Sequence, residues 1–394
     1  MLEIISTSGN KRIGKLMTKS GVINTPFFMP IATKGAVKNM SPEDLRSIGT
    51  EIVLGNTYHL WLRPGDELIA KAGGLHKFMN WDGPILTDSG GYQVFSLGAR
   101  AKEKYGVSGV KLNEKGVEFS DPLNGARYFM SPEKSIDIQL NLGSDIVMVL
   151  DECPPYPCSH EDAKKSLELT TRWAERCFKY FHESISKNIE KYVNGRPLLF
   201  CIVQGSIYED LRKESAKQLM NIDFSSLGGP SSGWDGCAIG GVAVGEPRKH
   251  LVDILGWVAP LLPKDKPRYL MGLGKPEELV MAVEAGIDMF DCVIPTREGR
   301  HGRLFRWREM SNVECQMPNA MEGSSFYETI NINNEQFKED FTPIDLHCGC
   351  YTCKNFTKAY LNHLLRTNEP FFLKLASLHN LNFYIELMRI LRKK

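Results

Sequence analysis

Short apolar runs recur along the chain, and each closes on a polar residue or a glycine. They are Phe27–Ala32, Glu51–Asn56, Pro84–Ser89, Asp145–Asp151, Leu198–Gly205, Gly236–Gly241, Arg268–Gly272 and Met289–Ile294. None alternates strictly between apolar and polar positions, which is the pattern of strands buried on both faces of a parallel sheet. Helical stretches separate several of them. Ser41–Ile48 opens SPED, with Ser41 placed to cap and Pro42 suited to the first helical position. Ser159–Ser184 is long and mixed in charge; Asp210–Met220 and Pro276–Ala285 are shorter. Strands alternating with helices in this way predict an α/β fold, a (β/α)8 TIM barrel. On pattern alone, an open doubly wound sheet is the rival.

Two segments read as insertions: the Gly/Ser-rich Ser225–Asp235, expected to be an exposed loop, and the irregular, polar Arg306–Glu328. After about Thr342 the chain changes character to a cysteine cluster followed by basic, helical sequence. The expected division is therefore a catalytic barrel over 1–341 and a small zinc-binding subdomain over 342–394, packed on the barrel.

Composition adds bounds. The 394 residues are 42% hydrophobic and 24% charged, a globular balance with room for a large barrel and a small appendage. The formal net charge of +1 means that a nucleic-acid partner must be held by a local basic patch. No apolar run is long enough to span a membrane and no leader pattern opens the chain, so a cytoplasmic protein is expected. The ten cysteines are scattered apart from one cluster, which fits reduced thiols and not a disulfide framework.

That cluster is Cys348-x-Cys350-x2-Cys353, with His379 farther on. Three thiolates and one imidazole fill a tetrahedral zinc shell with no open position, the signature of one structural Zn2+. His347 and His363 are nearer in sequence than His379, and spacing alone does not exclude them as the fourth ligand. Between the cysteines and His379, apolar residues in Lys354–Arg366 fall at helical spacing.

A TIM barrel carries its active site at the C-terminal ends of the strands. Here those ends hold Asn56, Asp88, Asp151, Gln204, Gly240 with Gly241, Gly272 and Asp291. Substitution at a sugar anomeric carbon commonly uses two carboxyl groups, one as nucleophile and one as proton shuttle. Asp88 and Asp291 are placed for these roles, although each taken alone is equally explained as a cap or turn residue. Asp151 and Gln204 suit a purine edge, since a carboxylate accepts from N–H groups and an amide offers both donor and acceptor. Gly240 and Gly241 would supply backbone N–H at close range, and Tyr92 and Met271 could sandwich a flat base, with core packing the competing explanation. Arg297, Arg300, Arg303, Arg306 and Arg308 follow Asp291 closely, as phosphate contacts beside a nucleophile would.

These residues resemble the tRNA-guanine transglycosylase (queuine tRNA-ribosyltransferase) family, in its bacterial form. The resemblance is carried by Leu86–Ser96 (LTDSGGYQVFS), Asp151–Pro157 (DECPPYP), Gln204-Gly205, Gly240–Glu246 (GGVAVGE), Tyr269–Glu277 (YLMGLGKPE), Gly286–Arg300 (GIDMFDCVIPTREGR) and the zinc pattern, in family order over nearly the whole chain. It implies a TIM barrel with a zinc subdomain. It further implies exchange of the wobble guanine of G-U-N anticodon tRNAs for a 7-deazaguanine, through a covalent RNA–enzyme intermediate.

By that resemblance Asp291 is the nucleophile and Asp88 the general acid/base. Ser89, Asp151, Gln204, Gly240 and Gly241 bind the base, Tyr92 and Met271 stack on it, and Val242 and Glu246 lie near its 7-substituent. Arg297 and Arg300 contact RNA; Cys348, Cys350, Cys353 and His379 hold zinc; the partners are tRNA and a second copy of the chain. Cys153 and Val244 match the bacterial pattern, favouring preQ1. Pro154, Val242 and the Ser225–Asp235 insertion depart from it and leave queuine open. Two rivals stand beside this reading. One is a non-catalytic tRNA-binding subunit of the same family, which would be expected to lose the aspartates; the other is a zinc hydrolase, which would need an open metal position.

Overall fold

The structure is a computed structural model that describes residues 1–96, 109–193, 195–308 and 326–393. Its centre is a closed parallel barrel of eight strands. They are β1 (Phe27–Met29, continued past Pro30 by Ile31–Ala32), β2 (Val53–Gly55), β3 (Ile85–Thr87), β4 (Ile146–Met148), β5 (Leu198–Val203), β6 (Gly236–Ile239), β7 (Arg268–Leu270) and β8 (Met289–Asp291). Each pairs in parallel with the next. The ring closes on both halves of β1: Met289 pairs with Phe27 and Asp291 with Met29, while Ile31 pairs with Leu54. The eight expected runs are these eight strands, and closure rules out the open sheet. Most strands are shorter than their runs, so Asn56, Asp88, Asp151, Gln204 and the Gly240–Gly241 pair fall in the loops just past the strands, and Asp291 is the last residue of β8, all at the C-terminal mouth. Among the described residues no helix is long and apolar enough to cross a membrane.

Helices cover the outside. Pro42–Ser47 begins as its sequence dictates: the Ser41 side chain accepts from the Asp44 N–H, Asp44 reaches back to the Ser41 N–H, and Pro42 fills the first helical position. Ser159 caps His160–Lys187, which buries Trp173, Phe178 and Phe181 along one face. Glu209–Met220 and Pro276–Glu284 follow β5 and β7.

Four features differ from the sequence reading. The expected Lys354–Arg366 helix is two, Tyr351–Asn355 and Lys358–Arg366, because Thr357 takes an extended conformation and caps the second by accepting from the Tyr360 N–H. The Arg306–Glu328 insertion is regular at its described ends: Arg303–Trp307 and Tyr327–Asn331 form an antiparallel hairpin; 309–325 lies outside the described residues. Ser225–Asp235 leads into β6 and so lies at the N-terminal end of the barrel, opposite the mouth. Most of it is exposed as expected, but Trp234 is buried there against Phe178 and Phe224 and donates its ring N–H to the Leu219 carbonyl. The insertion therefore cannot rim the base pocket, and its departure from the family pattern says nothing about the incoming base. Lastly, an antiparallel meander not foreseen in the sequence, Leu2–Ser8, Lys11–Thr18 and Gly21–Thr25, precedes the barrel. From it Arg12 forms a buried ion pair with Asp288, just before β8.

The helix Phe371–Arg392 packs on the barrel directly. Tyr384 lies against Phe28 of β1 with ring centres 5.0 Å apart, and its hydroxyl donates to the Gly274 carbonyl at 2.6 Å. Asn380 ties three segments together, donating to the Pro295 and Arg303 carbonyls and accepting from the Phe305 N–H.

Candidate active site

Asp88 follows β3 and Asp291 ends β8, both at the barrel mouth. The Asp88 carboxylate accepts from the Thr57 N–H at 2.9 Å, from Gln93 Nε2 at 3.1 Å and from the Asn56 amide. Asn56 and Thr57 open the helix after β2, so the neighbouring strand end holds this carboxylate in place. Burial pushes the Asp88 carboxyl up to about 7; the Thr57 hydrogen bond opposes the rise and the charge of Asp291 adds to it. The charge of Asp291 is thus felt at Asp88 across the mouth. Asp291 accepts from the Tyr269 hydroxyl at 2.5 Å and from the Gly272 N–H at 2.8 Å. Burial raises its carboxyl as well, against these two bonds.

Asp151 and Gln204 meet beside this pair. Gln204 Nε2 donates to Asp151 Oδ2 at 2.7 Å, and Ser89 Oγ donates to Asp151 Oδ1 at 3.0 Å. Burial raises the Asp151 carboxyl, and both donors resist the rise. Gln204 Oε1 is buried and has no hydrogen-bond partner. An acceptor left empty in this way fits a ligand that brings an N–H. Gly241 lies against it: a Cβ there would fall 2.6 Å from Gln204 Oε1, and the backbone sits at φ +61°, so only glycine fits. Gly240 is equally close, its Cβ position lying 2.8 Å from Gln204 Nε2.

The remaining candidates fall around this centre. Val242 is buried, and Glu246 accepts from the Val244 N–H at 2.9 Å within the same loop. Tyr92 lies in the helical turn after β3 and is half exposed; Met271 follows β7, across the barrel from it. Arg297 and Arg300 lie on Ile294–Arg300, the helix that follows Asp291. Arg297 is half exposed with Glu298 beside it, and Arg300 has a buried Nη1 with no partner. Arg306, by contrast, is paired with Glu328 at 2.9 Å.

The Cys348, Cys350, Cys353 and His379 side chains converge, their ligand atoms all within 4.8 Å of one another. The three sulfurs stand 3.7, 3.7 and 3.3 Å from His379 Nδ1. Tetrahedral zinc with ~2.3 Å bonds to sulfur and ~2.0 Å to nitrogen would set that separation at about 3.5 Å. His379 Nε2 lies 2.6 Å from the Phe305 carbonyl, which fixes Nε2 as the protonated nitrogen and leaves Nδ1 free to ligate. The residues therefore fit a metal ion, and the histidine that joins the cysteines is His379, not His347 or His363.

Three supporting residues escaped the sequence reading. Tyr269 lies inside a strand, where a tyrosine is indistinguishable from core. Asn56 was visible as a polar strand end but had no role. Arg212 reads as one charge among many on an amphipathic helix, yet it is wholly buried.

Fold and site together define a TIM barrel with two buried carboxylates at its mouth. The sequence model of the family described as Queuine tRNA-ribosyltransferase matches residues 7–394. Proteins named queuine tRNA-ribosyltransferase are similar throughout. That of Tolumonas auensis is 49% identical over 99% of this chain and 92% of its own length. That of Vibrio cholerae is 49% identical over 99% and 91%, and that of Psychrobacter cryohalolentis 48% over 97% and 88%. The chain belongs to the queuine tRNA-ribosyltransferase family, the tRNA-guanine transglycosylases, and is a transferase.

Proposed function

We propose that the enzyme exchanges the wobble guanine of G-U-N anticodon tRNAs for a 7-deazaguanine by double displacement. The observation that carries this reading is the buried pair Asp88 and Asp291, with Asp88 poised near neutrality beside a base-sized set of donors and acceptors. In the first step an Asp291 oxygen attacks C1′ of the target ribose. The glycosidic bond breaks, its electron pair leaves with the guanine, and protonated Asp88 supplies the proton that guanine takes up. In the second step Asp88 removes a proton from the incoming base, whose nitrogen attacks C1′ and expels Asp291. A carboxyl that titrates near 7 serves both directions.

Asp151 would accept from the N–H groups of the base, and Gln204 Oε1 and the Gly241 backbone would complete the edge, with Ser89 orienting Asp151. Tyr92 and Met271 would close over the two faces of the base. Val242 and Glu246 would meet the 7-substituent. Arg297 and Arg300 would hold the RNA so that the target nucleotide can leave its stack. With Cys153 and Val244 beside the pocket, preQ1 is the incoming base proposed. A Zn2+ at the Cys348, Cys350, Cys353 and His379 site would cross-link the cysteine loop to the Phe371–Arg392 helix, and residues 342–394 would form the zinc-binding unit carried by the 1–341 barrel. The enzyme is proposed to work in the cytoplasm as a homodimer.

The test is exchange with purified protein and tRNA preloaded with labelled guanine, offering preQ1 and queuine separately. Release of label on adding preQ1 is the expected result. Protein that is folded and zinc-loaded but releases none with either base would refute the proposal.

A further inference from the structure

Arg212 is a buried cation without a carboxylate. It sits in the first turn of Glu209–Met220, wholly shielded from solvent. Its hydrogen bonds all go to backbone carbonyls: Nε to Ser206 at 2.7 Å, Nη1 to Val203 at 3.1 Å and to Gly240 at 2.6 Å, and Nη2 to Gly241 at 2.9 Å. Burial lowers its pKa to about 10, while Cys153 and Glu246 act to raise it, so it is charged at neutral pH. Burying a guanidinium is costly even when it is fully hydrogen-bonded, and packing alone would be met by an apolar side chain.

The carbonyls it holds share a location. Val203 ends β5, and Gly240 and Gly241 follow β6, so the guanidinium ties together the two strand ends that carry Gln204 and the glycine pair. Peptide planarity then fixes what lies on the other side. The Gly240 carbonyl and the Gly241 N–H belong to one plane and point oppositely, as do the Gly241 carbonyl and the Val242 N–H. Drawing both carbonyls toward Arg212 turns both N–H groups away from it. Neither N–H has a hydrogen-bond partner among the described residues. Gly241 lies next to Gln204, whose Oε1 is also unpartnered.

We infer that Arg212 is a positioning residue for the base: by holding the Gly240 and Gly241 carbonyls it presents the Gly241 and Val242 N–H groups as donors to a ring carbonyl oxygen, and so selects 6-oxo over 6-amino purines. A 6-amino base would set its own N–H groups against these donors, which costs binding without any steric clash. The inference rests on the proposed assignment of Gln204 and Gly241 to base reading.

The experiment is steady-state exchange on the full chain with Arg212→Lys and Arg212→Gln, using guanine as the incoming base and 2,6-diaminopurine, which differs from it at position 6 and in carrying no hydrogen on N1, as competitor. Both variants are expected to raise KM for guanine by about tenfold or more, and to lose part of the preference for guanine over the diamine, the remainder being kept by Asp151, which meets an N1 without a hydrogen. In both, kcat and KM for tRNA stay close to the parent and the protein remains folded at the assay temperature. Unchanged base KM and preference would overturn the inference. So would an equal rise in KM for tRNA, or failure of both variants to fold, since Arg212 would then be holding the barrel as a whole. Gln204→Ala separates the two layers. If it raises KM for guanine and the Arg212 variants do not, only this inference fails; if it too has no effect, the base-reading assignment itself is wrong.

Discussion

The Tyr269 hydroxyl donates to Asp291 Oδ1 at 2.5 Å, from a side chain with no solvent exposure. One oxygen of the proposed nucleophile is thereby held by Tyr269 and the Gly272 N–H. The other accepts no hydrogen bond among the described residues and is the oxygen proposed to attack. Removing the hydroxyl should leave a buried carboxylate less stabilised and less well oriented. Tyr269→Phe is expected to lower kcat about 10- to 100-fold, the value of one hydrogen bond to a charged group, with tRNA affinity unchanged. Single-turnover exchange measured beside tRNA binding checks it, and equal loss in both would contradict an effect on the nucleophile alone.

Asp291→Asn should form no covalent adduct with tRNA while still binding it. Denaturing electrophoresis after quenching reads the adduct directly. A normal adduct in this variant would move the nucleophile elsewhere, with Asp88 the next candidate.

Asp88 makes a prediction about pH. Its folded carboxyl titrates near 7, above the usual 3.8 that holds in the unfolded chain. Between these values the folded state keeps a proton that the unfolded state has lost. The contribution of this group is therefore intact below about pH 4 and declines as pH rises toward 7. Relative to Asp88→Asn, which does not titrate, the parent should lose melting temperature across that window and stay level above it. Parallel curves for the two proteins would show that Asp88 is not raised.

Gly241→Ala should be tolerated poorly. The added methyl would stand 2.6 Å from Gln204 Oε1, on a backbone at φ +61°. KM for the base is expected to rise at least tenfold, more than KM for tRNA. An unchanged base KM would place Gly241 outside the pocket.

Cys350→Ala should lower metal content and melting temperature without altering the choice between bases. Elemental analysis and thermal unfolding read the first two. Zinc at one equivalent per chain with unchanged stability would mean that the cysteine is not a ligand.

The sequence was legible where local chemistry speaks. Buried parallel strands leave unbroken apolar runs, and polar residues at their ends mark the mouth, so Asp88, Asp151, Gln204 and Asp291 stand out before any coordinates are seen. Ser41 and Pro42 announce their helix for an equally local reason. What stayed hidden depends on partners far away in sequence. Arg12 meets Asp288 only because the meander folds under the barrel. Arg212 looks like a helix-surface charge until the β5 and β6 loops close over it. The Ser225–Asp235 insertion adjoins β6 in sequence yet lies away from the mouth, because a loop that enters a strand lies a full strand length from one that leaves it. Among the three candidate histidines, spacing could not choose, and the Phe305 carbonyl behind His379 does.

The contact between Tyr384 and Phe28 bears on how the protein is made. The first barrel strand emerges from the ribosome early, yet the helix that covers it follows more than three hundred residues later. Until then β1 has an uncovered apolar outer surface. Contacts of such long sequence separation slow folding. The first strand must therefore wait as an unpaired, uncovered edge through most of synthesis, because its partner β8 ends at Asp291 and its covering helix at Arg392, and the two proposed catalytic aspartates come together only over about the last quarter of the chain.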